Sequence, residues 1–318
     1  MNLVKRKRLF SAIIGGAVFS YCIYYMFRFF QWKSIVQVLL QVDLLWLLGA
    51  GSSTILIYWL LRTVRLFFML KAIDVHIHFF RLYLVGSTSM AFAVITPFQS
   101  GEAIKIELLK KSGDLDRIPG YAIFAAEKIL DLIVVLFLAA LSIFFGVSKL
   151  MDENVLLIVS VTSLIGFSIL FAITQRIAAA GFLSRFFQPF NQCIKNRRSL
   201  LMAIFLTIGG WLVVALGWYC CLRSISISLT IFQTIALTSI VTVVNVLSFI
   251  PGAVGVSEVS IAAFLIYLQQ GTSISQAGAV VLRIFGLLSL VLGLLHFLMI
   301  LITNTKKINL KNTSKLLG

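Results

Sequence analysis

Apolar runs long enough to cross a lipid bilayer recur along this sequence, and two of them are broken by proline, glycine and a carboxylate. The first break reads Ile95-Thr96-Pro97-Phe98-Gln99-Ser100-Gly101-Glu102. The second reads Ile250-Pro251-Gly252-Ala253-Val254-Gly255-Val256-Ser257-Glu258. A membrane-spanning helix takes about 20 predominantly apolar residues. Hydrocarbon offers the backbone no hydrogen-bond partner, so non-helical backbone at that depth has to be covered by protein or line a watery cavity. Gly/Pro-broken segments at matching places in two halves point to a polar site at the interface between repeats. The expectation is therefore a helical membrane protein whose interior shelters two irregular loops.

The composition fits that class. Of 318 residues, 60% are hydrophobic and 12% charged, about half the charged fraction of a soluble domain. The alternation over about ten residues that marks a transmembrane β-barrel strand is missing. A net charge of +16 reads as a topology signal, because Lys and Arg gather in cytoplasmic loops, and not as a nucleic-acid surface. The cluster Lys5-Arg6-Lys7-Arg8 before an apolar run resembles a secretory signal. No small-residue cleavage site follows, and Tyr21, Tyr24, Tyr25 and Phe27 continue the run, so an uncleaved first helix is expected. Cys22, Cys193, Cys220 and Cys221 have neither C-x-x-C pairing nor metal-ligand spacing. The C-terminus carries no lipidation signature.

Hydropathy places helices at about 9–27, 43–61, 119–146, 154–174, 199–222 and 275–302. Residues 28–42 read as a short interfacial segment anchored by Trp32 and Lys33. The second helix leads into Arg62, Arg65 and Lys71. An apolar stretch from Leu82 stops at Pro97 and is followed by an amphipathic, charged segment over 102–111. A second stretch runs from Ile231 to Pro251, resumes at Val256 and ends near Gln270. Residues 175–198 are basic and amphipathic, which suits a surface segment on anionic lipid.

Charge decides between two topologies. If each broken stretch crosses the bilayer, the basic blocks change sides. If each is a re-entrant hairpin, the N-terminus, 62–81, 105–117, 175–198 and the tail share the cytoplasmic side. Only Arg28, Lys33, Lys149 and Arg223 then lie outside, with Lys128 and Arg283 within the membrane. The expected fold is an all-α polytopic membrane protein, a single membrane domain over 1–318. It has six full transmembrane helices and two re-entrant helical hairpins in an inverted repeat. The halves are 43–147 and 199–302, followed by a cytoplasmic tail at 303–318. Pro97 precedes Glu127 by 30 residues and Pro251 precedes Arg283 by 32. A two-residue insertion in the second loop aligns Glu102 with Glu258 and Glu127 with Arg283.

Ionisable groups at bilayer depth cost about 2.5–3.5 kcal/mol each on insertion scales, so each needs a reason. Glu127 and Asp131, four apart, share one helix face beside Lys128. Two readings stay open. Arg283 pairs with a carboxylate and ties the halves together, or Arg283 and Lys128 bind an anionic head group while Glu102, Glu127, Asp131 and Glu258 orient or compensate them. The His76-x-His78 pair lacks a third ligand, and His296 reads as a core histidine. Gly15-Gly16 and Gly209-Gly210 are expected to let helices approach closely. No nucleophile elbow, phosphate loop, dinucleotide fingerprint or zinc motif is present, so no cofactor or metal is expected.

Together these motifs resemble the transmembrane region of lysylphosphatidylglycerol synthases, a flippase-like family. The resemblance covers nearly the whole chain. It rests on Pro97-x-x-x-Gly101-Glu102-x-x-Lys105, on Glu127-Lys128-x-x-Asp131, on the second break with Pro251, Gly252, Gly255 and Glu258, and on Arg283. The family usually has arginine or lysine where Gln99 stands, often arginine where Lys105 and Lys128 stand, and a second glycine where Ala253 stands. Lysine in place of arginine reduces bidentate phosphate contacts, since lysine is only a point charge. In two-domain relatives a cytosolic domain aminoacylates phosphatidylglycerol and the membrane region moves the product. This chain ends about 16 residues after its expected last helix, so a stand-alone member without that domain is expected.

The resemblance implies a lipid translocator of the bacterial inner membrane with cytoplasmic termini, rather than an enzyme. Its substrate would be an anionic or aminoacylated phospholipid or a lipid-linked precursor. The twelve motif residues named in the resemblance would form its path. A separate synthase partner and a homo-oligomer are further expectations. The alternative is a membrane-embedded transferase, or an accessory subunit, in lipid or polyprenyl-phosphate-linked glycan synthesis.

Overall fold

The computed structural model describes residues 20–146, 188, 192–193, 195–248 and 250–316. The start of the expected first helix, the expected helix at 154–174 and most of the basic segment 175–198 lie outside these residues. Among the described residues all regular structure is helical. After helical residues 20–29 come α1 (Trp32–Leu40) and α2 (Leu45–Lys71), which opens with a π-helical turn over Leu45–Ala50. Next are α3 (Phe79–Ile95), a 3-10 segment (Pro97–Ala103), α4 (Ile104–Lys111) and α5 (Arg117–Gly146). Then follow α6 (Arg197–Arg223), α7 (Ile231–Leu247), a 3-10 turn (Pro251–Ala253), α8 (Val256–Tyr267) and α9 (Thr272–Leu316). Leu45–Lys71, Arg117–Gly146, Arg197–Arg223 and Thr272–Ile302 are long and apolar enough to span a membrane.

Local chemistry sets several boundaries. The Asp43 carboxylate accepts from the N–H groups of Leu45 (2.9 Å) and Trp46 (3.3 Å), capping α2. Thr230 and Gln233 form a reciprocal capping box at the start of α7. Near both breaks the helix gives way to extended backbone at the residue before proline, Thr96 (φ −106°, ψ 148°) and Ile250 (φ −92°, ψ 134°). Proline's ring disfavours helical backbone there.

Two sequence boundaries are corrected. The second helix does not stop at Leu61 but continues to Lys71. No Gly, Pro or Asn lies between Leu61 and Lys71, and Arg62 and Arg65 are buried inside the molecule. The last helix continues through Leu316, across the expected tail.

Each broken segment returns to the end of the molecule where it began. Arg81 near the start of α3 pairs with Asp114 just after α4 (3.1 Å). Ile227, before α7, packs in one cluster with Leu265 and Leu268 at the close of α8. The contacts also have an internal order. α2 packs on α6, α3 on α9, and α5 on α7. α2 meets α3 as α6 meets α7, α4 meets α5 as α8 meets α9, and the two 3-10 segments touch each other. Exchanging α2–α5 for α6–α9, in order, maps these contacts onto themselves.

The close seams are not at Gly209-Gly210. A methyl on Gly209 would have nothing nearer than Leu61 at 3.8 Å, and one on Gly210 would meet Tyr58 at 3.5 Å. The tightest positions between helices are Gly217 on α6 and Gly293 on α9. A methyl there would lie 2.5 Å from the Thr54 hydroxyl and 2.1 Å from the Ala91 methyl, respectively. Gly15-Gly16 lies outside the described residues.

Candidate functional site: two charge clusters and a central cavity

Seven ionisable side chains converge where α2, α5 and the first break meet. Arg62 and Arg65, one turn apart on α2, both donate to Asp131 on α5 (2.7 and 2.6 Å). Arg62 also donates to Glu102 (2.7 Å), and Arg65 to Glu127 (3.0 Å) and to the Thr207 hydroxyl on α6 (2.8 Å). Lys105 bridges Glu102 (2.9 Å) and Glu127. Lys128 pairs with Glu102 and donates to the Gln99 amide (3.3 Å). All but Lys128 are buried. Charges taken this far from water persist only when paired and hydrogen-bonded, and here four cations enclose three carboxylates.

The second cluster is smaller. Arg283 on α9 donates to the Glu258 carboxylate and to the Gly252 carbonyl (3.0 Å). Glu258 also accepts from the Gly255 N–H (2.7 Å), which closes the N-terminus of α8. All of these partners come from the second broken segment and α9. Arg283 therefore fastens the second broken segment to α9, and none of these bonds reaches the first break. By contact its counterpart is Lys128, one residue beyond the Glu127 that spacing aligned with it. Each cation reaches from its long helix to the carboxylate after its break and to the break itself.

The breaks fit tightly. The Gly101 N–H donates to the Thr96 hydroxyl (2.7 Å), and a methyl at Gly101 would sit 2.5 Å from the Phe92 carbonyl oxygen. Gly252 has φ +61°, and its α-carbon faces the Val94 carbonyl of the opposite break. Ala253 holds φ +48°, a backbone that glycine adopts without the cost a β-carbon imposes.

Between the breaks lies a cavity of about 250 Å³, walled by α2, α3, α6, α7, α8 and α9. Its aromatic wall comes from Tyr58, Trp59, Trp211, Trp218 and Phe285. Its polar wall comes from Thr96, Gln99, Asn245, Ser257 and the Arg283–Glu258 pair. Of the twelve motif residues, Gly252, Glu258 and Arg283 line it. Glu102, Lys105, Glu127 and Asp131 stay in the first cluster, linked to the cavity through Gln99, which Lys128 holds, and Tyr58, which accepts from Arg62 (3.2 Å). Pro97 and Pro251 begin the two 3-10 segments, and Gly255 caps α8.

Sequence reading missed Arg62 and Arg65, assigning them to a loop. The signal was present: Tyr58, Arg62, Arg65 and Met69 recur at helical spacing on one face. His296 sits edge-on to Trp59 and Tyr83 (5.4 Å each) while its ring bonds the Leu292 carbonyl (2.7 Å), as a packed histidine does. Outside the spans, a hydrogen bond from Arg117 holds the exposed Glu107 carboxyl below its ordinary pKa. Among the described residues no group of three or more His, Cys, Asp or Glu side chains is arranged to hold a metal ion.

The family model described as lysylphosphatidylglycerol synthase TM region matches residues 12–295. No curated protein and no solved structure matches the chain. Four helices of spanning length and apolar make-up, with that match, make this a multi-pass membrane protein with a lipid-related role. The chain belongs to the lysylphosphatidylglycerol synthase TM region family.

Proposed function

We propose that this protein is a flippase-like lipid translocase and not an enzyme. It would move an anionic or aminoacylated phospholipid, or a lipid-linked precursor, across a bacterial inner membrane. One observation carries this reading: the cavity lies where the two proline breaks meet and is walled by both halves of the molecule. A site shared by two similar halves can open to either side as one half rocks against the other. In this reading α3–α4 and α7–α8 are re-entrant hairpins from opposite faces. The repeat halves are 43–147 and 199–302, within six full spans, and both termini are cytoplasmic. The exchange of contacts between α2–α5 and α6–α9 supports the repeat. The return of each broken segment to its own end supports the hairpins.

The twelve motif residues divide by role. Glu102, Lys105, Glu127 and Asp131, with Arg62 and Arg65, form a charge-balanced brace that sets the first hairpin. Lys128 and Arg283, the two partly exposed cations, face the lipid, and Glu258 orients Arg283. Pro97, Gly101, Pro251, Gly252 and Gly255 shape the breaks. Leaflet exchange of labelled phospholipids in proteoliposomes tests the reading. The wild-type chain accelerates exchange, Arg283→Ala removes most of the acceleration, and Glu127→Gln reduces it by weakening the brace. Wild-type rates in both variants would sink the site assignment. No exchange of any tested lipid by the wild type would sink translocation, and a modified lipid formed by the purified protein would favour the transferase alternative.

A further inference from the structure

A second, far smaller space of about 10 Å³ lies beside the central cavity. It follows α2 past Trp59, Arg62, Thr63 and Leu66 and is closed on its other side by Gly86 and Met90 of α3. Trp59 and Met90 wall both spaces. The small space therefore continues from the cavity toward the end of the molecule where α2 closes. It ends in packing. Trp59, Arg62, Thr63 and Leu66 are all buried, and a methyl on Gly86 would lie 3.4 Å from the Thr63 hydroxyl oxygen.

The second half holds the equivalent positions differently. Helix boundaries recur at a constant shift of 152 residues: Leu45 and Arg197, Lys71 and Arg223, Phe79 and Ile231, Ile95 and Leu247. That shift carries Trp59, Arg62 and Leu66 onto Trp211, Val214 and Trp218 of α6, and Met90 onto Thr242 of α7. All four of these counterparts line the central cavity, and all four are partly exposed. α6 runs antiparallel to α2, since the Ser199 hydroxyl near its start bonds the Phe68 carbonyl near the close of α2. The cavity thus extends along α6 toward one end of the molecule. The matching space along α2, which points to the other end, is pinched shut.

One difference in chemistry accompanies the difference in shape. Arg62 ties α2 to the first broken segment through Glu102 (2.7 Å). Its counterpart Val214 has no charge to offer Glu258, which pairs with Arg283 instead. Parting a buried ion pair leaves uncompensated charge, so Arg62 latches the first seam, and Val214 gives the second no such latch. We propose that the α2–α3 and α6–α7 seams are the two gates of the cavity, held here in opposite positions, and that exchanging those positions gives the molecule's second state. In that state α3 draws away from α2, the space past Arg62 and Leu66 widens, and the cavity opens at the end where α2 closes. The space past Val214 and Trp218 closes in turn. Two similar halves that take up each other's conformation supply such a pair of states. This rests on the reading of the cavity as a translocation site and assigns its closed gate to the α2–α3 seam.

The test uses the full chain in a cysteine-free background, reconstituted in liposomes, with a charged methanethiosulfonate reagent on both sides. Val214→Cys faces the cavity and should react fast. Leu66→Cys is buried here and reacts through the second state. A minor state populated at about 0.1–10% makes it about 10- to 1,000-fold slower than Val214→Cys. Val134→Cys is the control. Val134 is as buried as Leu66 (4% and 5% exposed), but it packs with Leu138 and Ile235 and borders neither space. It reacts only through unfolding of the core, so it should be slower than Leu66→Cys by about ten-fold or more. A lock gives a second readout. The close approach of Gly86 to Thr63 suits a disulfide, whose β-carbons lie about 3.5–4.5 Å apart. Oxidising the double variant Thr63→Cys with Gly86→Cys should abolish leaflet exchange. Reduction should restore it, which also reports that the variant is folded.

Equal labelling rates for Leu66→Cys and Val134→Cys overturn the proposal. So do a formed disulfide that leaves exchange at the wild-type rate and a cysteine pair that does not oxidise. The two readouts keep the gate apart from translocation. If the wild type exchanges no lipid, translocation falls, and the order of the three labelling rates still decides the gate. If exchange proceeds while that order fails, translocation stands and the gate lies elsewhere.

Discussion

Asp131 is the hub of the larger cluster, because both guanidiniums of α2 bond to it, one to each carboxylate oxygen. Asp131→Asn keeps the shape but leaves two buried arginines short of a negative charge. Breaking a buried pair from one side costs about 3–5 kcal/mol, so the unfolding midpoint in detergent should fall sharply. The exposed bridge from Arg117 to Glu107 is the control: Arg117→Ala should leave that midpoint unchanged. Equal effects would mean that the cluster is not sealed from water. The sequence revealed the carboxylates and hid their partners for one reason. Glu127 and Asp131 lie in the middle of an apolar run, where a charge stands out. Arg62 and Arg65 lie near the end of one, where a basic residue reads as the first of a cytoplasmic loop. What settles the matter is where the backbone stops, and α2 continues as helix to Lys71. Gly101 carries a second residue-scale prediction. Its missing methyl leaves room for the Phe92 carbonyl, so Gly101→Ala should disrupt the first break and abolish leaflet exchange, while Ala253→Gly, which relieves a left-handed backbone, should not.

Between elements, stability lies in the seams that join the two broken segments to the long helices of the opposite half. α3 lies against α9 so closely that Gly293 has no space for a methyl beside Ala91. Helices approach this closely in membranes through small residues, since lipid supplies no hydrophobic drive to hold them together. Gly293→Ala should therefore push α3 off α9, destabilise the fold by about 1–3 kcal/mol and slow exchange. Gly209→Ala, whose new methyl meets only ordinary contact, should do neither. If the two variants melt alike, the seam is looser than its geometry. The glycine pair at 209–210 drew attention in the sequence because two adjacent glycines are conspicuous, whereas Gly217 and Gly293 stand singly among Leu, Val and Ala. Helix ends at proline were legible because proline acts on its own neighbour. Interhelical contacts were not, because they depend on which faces meet.

The whole molecule has two ends with different charge. The close of α2 and the start of α6 share one end, where the Ser199 hydroxyl donates to the Phe68 carbonyl (3.3 Å). The start of α2 and the close of α6 share the other, where the Asp43 N–H donates to the Ser224 carbonyl (2.9 Å). The first end carries Lys71, Arg81, Lys110, Lys111, Arg117, Lys195, Arg197 and Arg198, and the second carries Arg28, Lys33 and Arg223. In the proposed reading the first faces the cytoplasm, as the positive-inside rule would place it. That rule works on short loops whatever the folding inside the bilayer, which is why the orientation could be argued from sequence even though two helix ends were misplaced. The consequence is specific to hairpins. Ser112, after the first broken segment, should share a side with residues 72–78, and Ser228, before the second, should lie opposite. Both serines are exposed. In a cysteine-free background with membranes intact, Ser228→Cys should react with an impermeant maleimide added from outside. Ser112→Cys should react only after the membrane is opened. Had the first broken stretch crossed the bilayer, Ser112→Cys would react from outside, the basic block over 105–117 would be external, and the two proline breaks could not belong to hairpins entering from opposite faces.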